Sequence, residues 1–300
     1  MTSSLPPTER LYLDDTHLYT TTSTVLAVES VPLFQNDKDK DAAGSTEDPP
    51  RFAVVTAATV FHPQGGGQPS DVGRIMSDGD GGVAFVVDSV RSGEGGVIRH
   101  YGTFASAADK GEDGNGSSSS SSSGTCPPFQ IGQAVTLEID AASRRLHARL
   151  HSAGHALDVA VLQLGLGLRP TKGYHFQDAP YVEYLGKLPS EAGTAEEVAT
   201  ALTDQMKTLI EADIASEVQL MSKVDAAKLL VGGKEDVAHF AEEERVRLVS
   251  VGGNMCPCGG THVNSTGDLG VVEVTKIKMK KNVTRISYRL RESVEEEGSV

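Results

Sequence analysis

The periodicity of the chain changes at Asp140, and no other feature narrows the fold as much. Before that point, apolar residues come in short runs separated by glycine-rich turns: Thr24–Val31, Phe52–Phe61, Gly82–Val90, Val97–Phe104 and Gln133–Ile139. Short β-rich runs at close spacing predict a small N-terminal β-barrel ending near Asp140. Beyond it, Leu146, Leu150, Leu157, Val161 and Leu164 recur at steps of three and four residues or their sums, which is one face of a helix. Asp140 stands as its N-cap, and Gly165 and Gly167 as stop signals. A second helix is predicted from Thr194, with Glu197 completing a capping box, through Val198, Leu202, Leu209 and Ile210, and a shorter one after Ser222. Strands then return: Lys276–Lys280 alternates strictly, turns at Lys281-Asn282 and resumes over Arg285–Arg291. The expected fold class is α+β, with a barrel domain over residues 1–140 and helices on an antiparallel sheet over 141–300.

Two segments read as insertions in the first domain. Residues 36–50 are rich in aspartate and glutamate, and residues 105–128 contain the serine run Ser117–Ser123; neither has apolar surface enough to order itself. The remainder is ample for a core: 300 residues, 38% hydrophobic and 23% charged. No apolar stretch reaches the roughly 18–20 residues of a spanning helix, so no membrane role is expected. A formal charge of −14 argues against indiscriminate coating of nucleic acid, yet leaves room for a local basic strip. Three cysteines, Cys126, Cys256 and Cys258, make no disulfide framework and suit a reducing compartment. Met1–Thr22 has neither signal-peptide nor transit-peptide character, so a cytoplasmic protein is expected.

The residues with chemistry fall in three clusters. His151 and His155 stand four apart on the first helix, so their imidazoles share a face and can chelate one ion; His147 continues the row one turn earlier. Cys258-Gly259-Gly260-Thr261-His262 sets a thiolate and an imidazole four apart across two glycines, where the backbone folds tightly enough for both to reach one ion. Three histidines and one cysteine suit zinc better than magnesium or calcium. Cys256 competes with Cys258 for the sulfur position; the tight loop to His262 favours Cys258. The third cluster is Gly65-Gly66-Gly67-Gln68, a loop that another group can approach at backbone level, with a donor and an acceptor offered by Gln68.

Together, the Gly-Gly-Gly-Gln loop, His151-Ser-Ala-Gly-His155 and Cys258-Gly-Gly-Thr-His-Val263 resemble, in order and rough spacing, the editing region of alanyl-tRNA synthetases. The nearest likeness is to freestanding alanyl-tRNA editing proteins of the AlaX type, and Arg149–His155 with Lys172-Gly-Tyr-His-Phe176 is similar to their plant and fungal branch. The resemblance implies a barrel joined to an editing core shared with threonyl-tRNA synthetase. It implies one zinc on His151, His155, Cys258 and His262, and hydrolysis of serine, or glycine, wrongly esterified to alanine tRNA. Only 140 residues precede the helix and no ATP site is recognisable, so ligase activity is not expected. Two positions depart from the family: Ala57 stands where an aspartate is frequent ahead of Thr59, and His62 replaces a tyrosine before Pro63.

From this follows an expected mechanism for an aminoacyl-tRNA deacylase: zinc orients the aminoacyl end or activates water, while Gln68 and backbone N–H groups around Gly259 and Gly260 hold the ester. Thr59, Gln68 and the zinc are candidate partners for the serine hydroxyl that alanine lacks. The expected partner is mischarged alanine tRNA, bound by a monomer. Val274–Arg291 carries seven basic residues and no acid, and strand alternation collects most of them on one face. Lys276, Lys278, Lys280, Lys281 and Arg285 are the expected tRNA contacts, extended by Arg144, Arg145 and Arg149. The alternatives are a zinc-stabilised tRNA-binding module without catalysis, and editing of Ser-tRNA(Thr). A peptidase is disfavoured because Ser152 stands where a catalytic glutamate would follow the first histidine.

Overall fold

A computed structural model describes residues 5–31, 50–77, 83–105 and 129–291. The two expected insertions lie outside these residues except for Pro50 and Ala105, as does Cys126. The chain divides into two units: Met1–Gln64 with Ser70–Arg144, and Gly65–Pro69 with Arg145–Val300. The Gly-rich loop, which sequence order sets in the barrel half, therefore groups with the second unit. Among the described residues no helix is long and apolar enough to cross a membrane.

The first unit contains β1 (Glu9–Arg10), β2 (Thr20–Val31), β3 (Arg51–Thr56), β4 (Ala58–Thr59), β5 (Gly73–Ser77), β6 (Ala84–Ser92), β7 (Ile98–Ala105) and β8 (Ala134–Ile139). Six of them close a barrel in the order β2-β3-β7-β6-β5-β8, as the sequence predicts. Its interior is filled by the inward residues of each strand, among them Val25, Val54, Ile75, Phe85, Val87, Ile98 and Leu137. The run expected as one strand over Phe52–Phe61 breaks at Ala57, whose N–H donates to the Thr24 carbonyl and whose carbonyl accepts from Glu9. That turn lets β4 pair with β1. Strand β5 is not legible in the sequence, because only Ile75 of its five residues is fully buried; ladders on both sides make it a strand.

Arg144 corrects one expectation. Rather than extending a basic surface, its side chain is fully buried on Asp71. Nε donates to both carboxylate oxygens at 3.1 Å, Nη1 to the Thr16 carbonyl at 2.8 Å and Nη2 to the Val60 carbonyl at 2.5 Å. Asp71 also accepts the His62 amide at 2.6 Å. A buried charge pair is tolerable only when its remaining donors and lone pairs are met in this way.

The long helix α1 (Ala141–Gln163) has its first turn in the first unit and the rest in the second, which also holds β9 (Arg169–Tyr174), β10 (Tyr181–Leu185), α2 (Ala195–Glu211), β11 (Glu217–Ser222), α3 (Lys223–Leu229), β12 (Arg245–Ser250), β13 (Met255–Pro257), β14 (Val271–Lys280) and β15 (Val283–Arg291). The predicted caps are present: Asp140 accepts the Ser143 amide at 2.7 Å, and Thr194 and Glu197 exchange side-chain to backbone bonds at 3.2 and 2.8 Å. Strands β14-β15-β10-β9 form an antiparallel sheet, and β11-β12-β13 a smaller one. Alternation turns Val182, Tyr184, Ile286 and Tyr288 inward, where Leu150, Leu157, Val161, Leu202 and Met206 of the two helices pack on them. Burying side chains of this size contributes about 1.5–3 kcal/mol each.

Candidate metal centre

Helix α1 brings His151 and His155 to one face, and the loop after β13 brings Cys258 and His262 to meet them. One ligand atom from each of the four lies within 4.8 Å of the others. The Cys258 sulfur is 3.5 Å from His151 Nε2 and 3.4 Å from His262 Nε2. Bonds of about 2.3 Å to sulfur and about 2.05 Å to nitrogen, set at tetrahedral angles, separate such atoms by about 3.6 Å. One cation held by all three atoms accounts for both spacings. His155 Nε2 is buried and has no hydrogen-bond partner among the described residues, as expected of a nitrogen reserved for a metal. Burial lowers the His155 pKa to about 4, with Arg247 adding to the effect, so the imidazole is neutral and its lone pair available near neutral pH. His147 is not part of this group.

The surrounding contacts fix which nitrogen faces inward. Gln68 is fully buried; its Oε1 lies 2.8 Å from His151 Nδ1 and accepts the Thr261 amide at 3.0 Å, while its Nε2 donates to Thr261 Oγ1 at 2.8 Å. A carboxamide oxygen only accepts, so His151 carries its proton on Nδ1 and turns the bare Nε2 toward Cys258. On the other side, His155 Nδ1 lies 3.2 Å from the Cys256 sulfur, which donates to the Val249 carbonyl at 3.7 Å. Burial pushes the Cys256 thiol well above its usual range, keeping that S–H intact. The structure thus groups Cys258 with the three histidines and sets Cys256 behind His155.

Local backbone explains the glycines. Gly260 is buried, and a Cβ there would collide with the His151 ring and crowd Gln68 Oε1. Gly259 is exposed, with open space where its Cβ would stand. The Gly260 amide donates to the Cys258 sulfur at 3.4 Å, so it is already engaged. Arg247 of β12 donates to the Cys258 and Gly260 carbonyls at 2.7 and 3.3 Å, and Ser152 Oγ accepts the Val263 amide at 3.1 Å. Neither Arg247 nor Thr261 announces this role in the sequence, since both depend on long-range packing.

His175, prominent in the sequence only through the family likeness, stacks on His151 with centroids 4.7 Å apart. Its Nδ1 lies 2.6 Å from the Tyr288 hydroxyl, which donates to the Leu150 carbonyl at 2.8 Å; Nδ1 is therefore the donor. Three glycines make room for this ring: a Cβ on Gly67, Gly154 or Gly173 would press into it. Burial, helped by His155, lowers its pKa to about 3.

Thr59 lies in the first unit, where its hydroxyl is 2.8 Å from His100 Nε2 and accepts the Phe61 amide at 3.0 Å. His100 Nδ1 faces the Val54 carbonyl at 2.9 Å, so Nε2 is the acceptor and Thr59 the donor. The basic strip takes its predicted face: Lys276, Lys278 and Lys280 alternate outward on β14 opposite Ser287, Arg285 and Val283, and Lys281 occupies the turn at φ 56°. Arg285 pairs with Glu183 at 2.6 Å. Arg149 turns instead to the Leu269 carbonyl at 2.9 Å.

Comparison with known proteins accords with this arrangement. Residues 246–287 match the model of the threonyl and alanyl tRNA synthetase second additional domain. The alanyl-tRNA editing protein AlaX-L of Pyrococcus horikoshii is 27% identical over 286 residues, 93% of this chain and 57% of that protein. The chain is similar to an AlaX-type editing protein over nearly its whole length. Alanine–tRNA ligases are similar too: that of Bordetella pertussis is 28% identical over 84% of this chain, and that of Albidiferax ferrireducens 29% over 74%. The chain spans 24% and 22% of these two ligases, and little more than half of the AlaX-L protein. The segment matched by the domain model contains Cys258, His262 and the Lys276–Arg285 part of the basic strip; His151, His155 and Gln68 join them through the tertiary structure.

Proposed function

We propose that the chain is an aminoacyl-tRNA deacylase acting on mischarged alanine tRNA, Ser-tRNA(Ala) and also Gly-tRNA(Ala), in the cytoplasm. The observation that carries this reading is the convergence of His151, His155, Cys258 and His262 within 4.8 Å in a chain similar to an alanyl-tRNA editing protein over 93% of its length. The donor set, the sulfur–nitrogen spacings and the unpartnered His155 nitrogen fit one zinc. Zinc there supplies Lewis-acid charge that orients and polarises an aminoacyl group.

The chain's own residues supply the rest. Gln68 acts by positioning: both ends of its carboxamide are consumed by His151 and Thr261, which holds the ring and the Cys-Gly-Gly-Thr-His loop in one geometry. The open side of that loop is at Gly259, where an ester can approach the backbone closely. His175 and Tyr288 hold one flank of His151 by stacking and hydrogen bonding. Serine is chosen over alanine by a site that hydrogen-bonds a hydroxyl, because the smaller side chain leaves buried polar groups unpaired. Lys276, Lys278, Lys280 and Lys281 meet the tRNA phosphates, with Arg285 held beside them by Glu183.

The test is single-turnover hydrolysis of Ser-, Gly- and Ala-charged alanine tRNA by the purified protein, with Ser-tRNA(Thr) alongside. Rapid loss of serine with alanine spared is the expected result. Binding of alanine tRNA without hydrolysis would establish the non-catalytic module instead, and preference for the threonine tRNA would move the substrate.

A further inference from the structure

The outer face of the sheet β14-β15-β10-β9 carries a row of parallel π systems. The rings of Phe176 and Tyr174 stack with centroids 4.5 Å apart and 17° between their planes, and Tyr174 stacks on Tyr181 at 5.3 Å and 13°. The Arg285 guanidinium lies 4.0 Å from the Tyr181 centroid. The phenylalanine pairs inside the barrel are by contrast inclined by 54° to 81°. The three rings on the sheet are half-exposed, and a planar base extends such a parallel row favourably.

The electrostatics on this face suit a polyanion although the whole chain carries −14. Lys278, Arg285, Glu183 and Lys172 lie in register straight across the four strands. Arg285 is neutralised by Glu183 at 2.6 Å, and the Tyr174 hydroxyl leans on Asp178 at 3.5 Å. Lys172, Lys276, Lys278 and Lys280 are exposed and enter no ion pair among the described residues. The row also adjoins the metal centre along the chain. Tyr174 and Phe176 flank His175, whose ring stacks on His151 at 4.7 Å, and β9 is the sheet's edge strand, so no further strand separates the two faces there.

We propose that Phe176, Tyr174, Tyr181 and Arg285 form a stacking platform for the unpaired bases at the 3′ end of an RNA, with Lys172, Lys276 and Lys278 holding its phosphates. The inference rests on the deacylase reading, in which the ester sits on the terminal ribose and the bases just before it must be held close to the metal centre. Paired bases bury their faces in the helix, so only an unpaired end can use such a row.

Two RNA hairpins test this, one ending in the unpaired 3′ strand of alanine tRNA and one blunt, with 2-aminopurine in the unpaired strand as a stacking probe. The native protein binds the overhanging hairpin more tightly and quenches the probe. Tyr174→Ala and Tyr181→Ala each weaken that binding by about fivefold to a hundredfold and relieve the quenching, while Tyr→Phe at either position retains both because the ring and not the hydroxyl is used. Replacing Lys278 and Lys280 with alanine weakens both hairpins alike and flattens the salt dependence. Equal affinity for the two hairpins, or absence of quenching by the native protein, overturns the platform whether or not the variants fold. Hydrolysis of Ser-tRNA(Ala) without quenching removes the platform and leaves the deacylase; quenching without hydrolysis keeps the platform and removes the deacylase.

Discussion

Replacing Gln68 with alanine separates a residue that touches the ester from one that sets a metal ligand. In the native structure Gln68 Oε1 satisfies two buried donors, His151 Nδ1 at 2.8 Å and the Thr261 amide at 3.0 Å, and the side chain has no exposed surface. Truncation leaves both donors unmet, at about 1–3 kcal/mol each, so the loss of stability is about 2–6 kcal/mol. Even the lower figure moves the thermal midpoint of a unit this size by about 4–8 °C. His151 also loses the contact that selects its tautomer, and losses of this kind weaken metal affinity by about ten- to a hundredfold. Gln68→Glu keeps an acceptor for both donors and should retain most of the metal affinity. The assay is competition for zinc against a chromophoric chelator, paired with thermal melts with and without chelator. Native zinc affinity and an unchanged melt in Gln68→Ala would refute the argument, and a loss of hydrolysis alone would return Gln68 to the ester.

Cys258→Ala should strip zinc and lower stability and activity together, whereas Cys256→Ala should only weaken zinc binding, through the lost support of His155 Nδ1; metal analysis showing the opposite order would exchange the two sulfurs. Asp158 has its pKa raised to about 7 by burial, against the opposing bond from the Tyr184 hydroxyl at 2.7 Å. The folded state therefore holds the proton more tightly than the unfolded chain, and this stabilising contribution is complete below about pH 4 and lost as the pH rises through about 7. Denaturation midpoints compared at about pH 5 and about pH 8 should fall less steeply for Asp158→Asn than for the native chain, and equal slopes would show that the carboxyl is not so perturbed. Asp71→Asn leaves Arg144 buried without its counter-charge and should cost about 3–5 kcal/mol, read as a lower melting point; an unchanged melt would mean that the guanidinium finds water.

Local rules of chain geometry make part of this fold and site legible from neighbouring residues alone. Period-two runs with glycine turns gave the barrel, the leucine spacing gave α1, and Asp140, Thr194 and Glu197 marked helix starts that the structure caps as expected. The spacing of His151 to His155 and of Cys258 to His262 likewise announced two half-sites, because a helix turn and a two-glycine loop each confine a pair of side chains with no help from the rest of the fold. Partners far apart in the chain emerge only once the core has closed. Strand β9 has polar residues and a proline and exists because β10 pairs with it; its lone outward aromatic, Tyr174, gains meaning only beside Tyr181 and Phe176. Cys258 was set apart from Cys256 by where each sulfur lands, since both are short-range neighbours of the same histidine in sequence. Arg144 has the sequence neighbours of a surface base, yet it is buried on Asp71, 73 residues away. Gln68 reaches Thr261 across 193 residues, and that contact turns a flexible-looking glycine loop into the support of a metal ligand. A side chain's partners at such separations are set by the closure of the core, which no window of neighbouring residues contains.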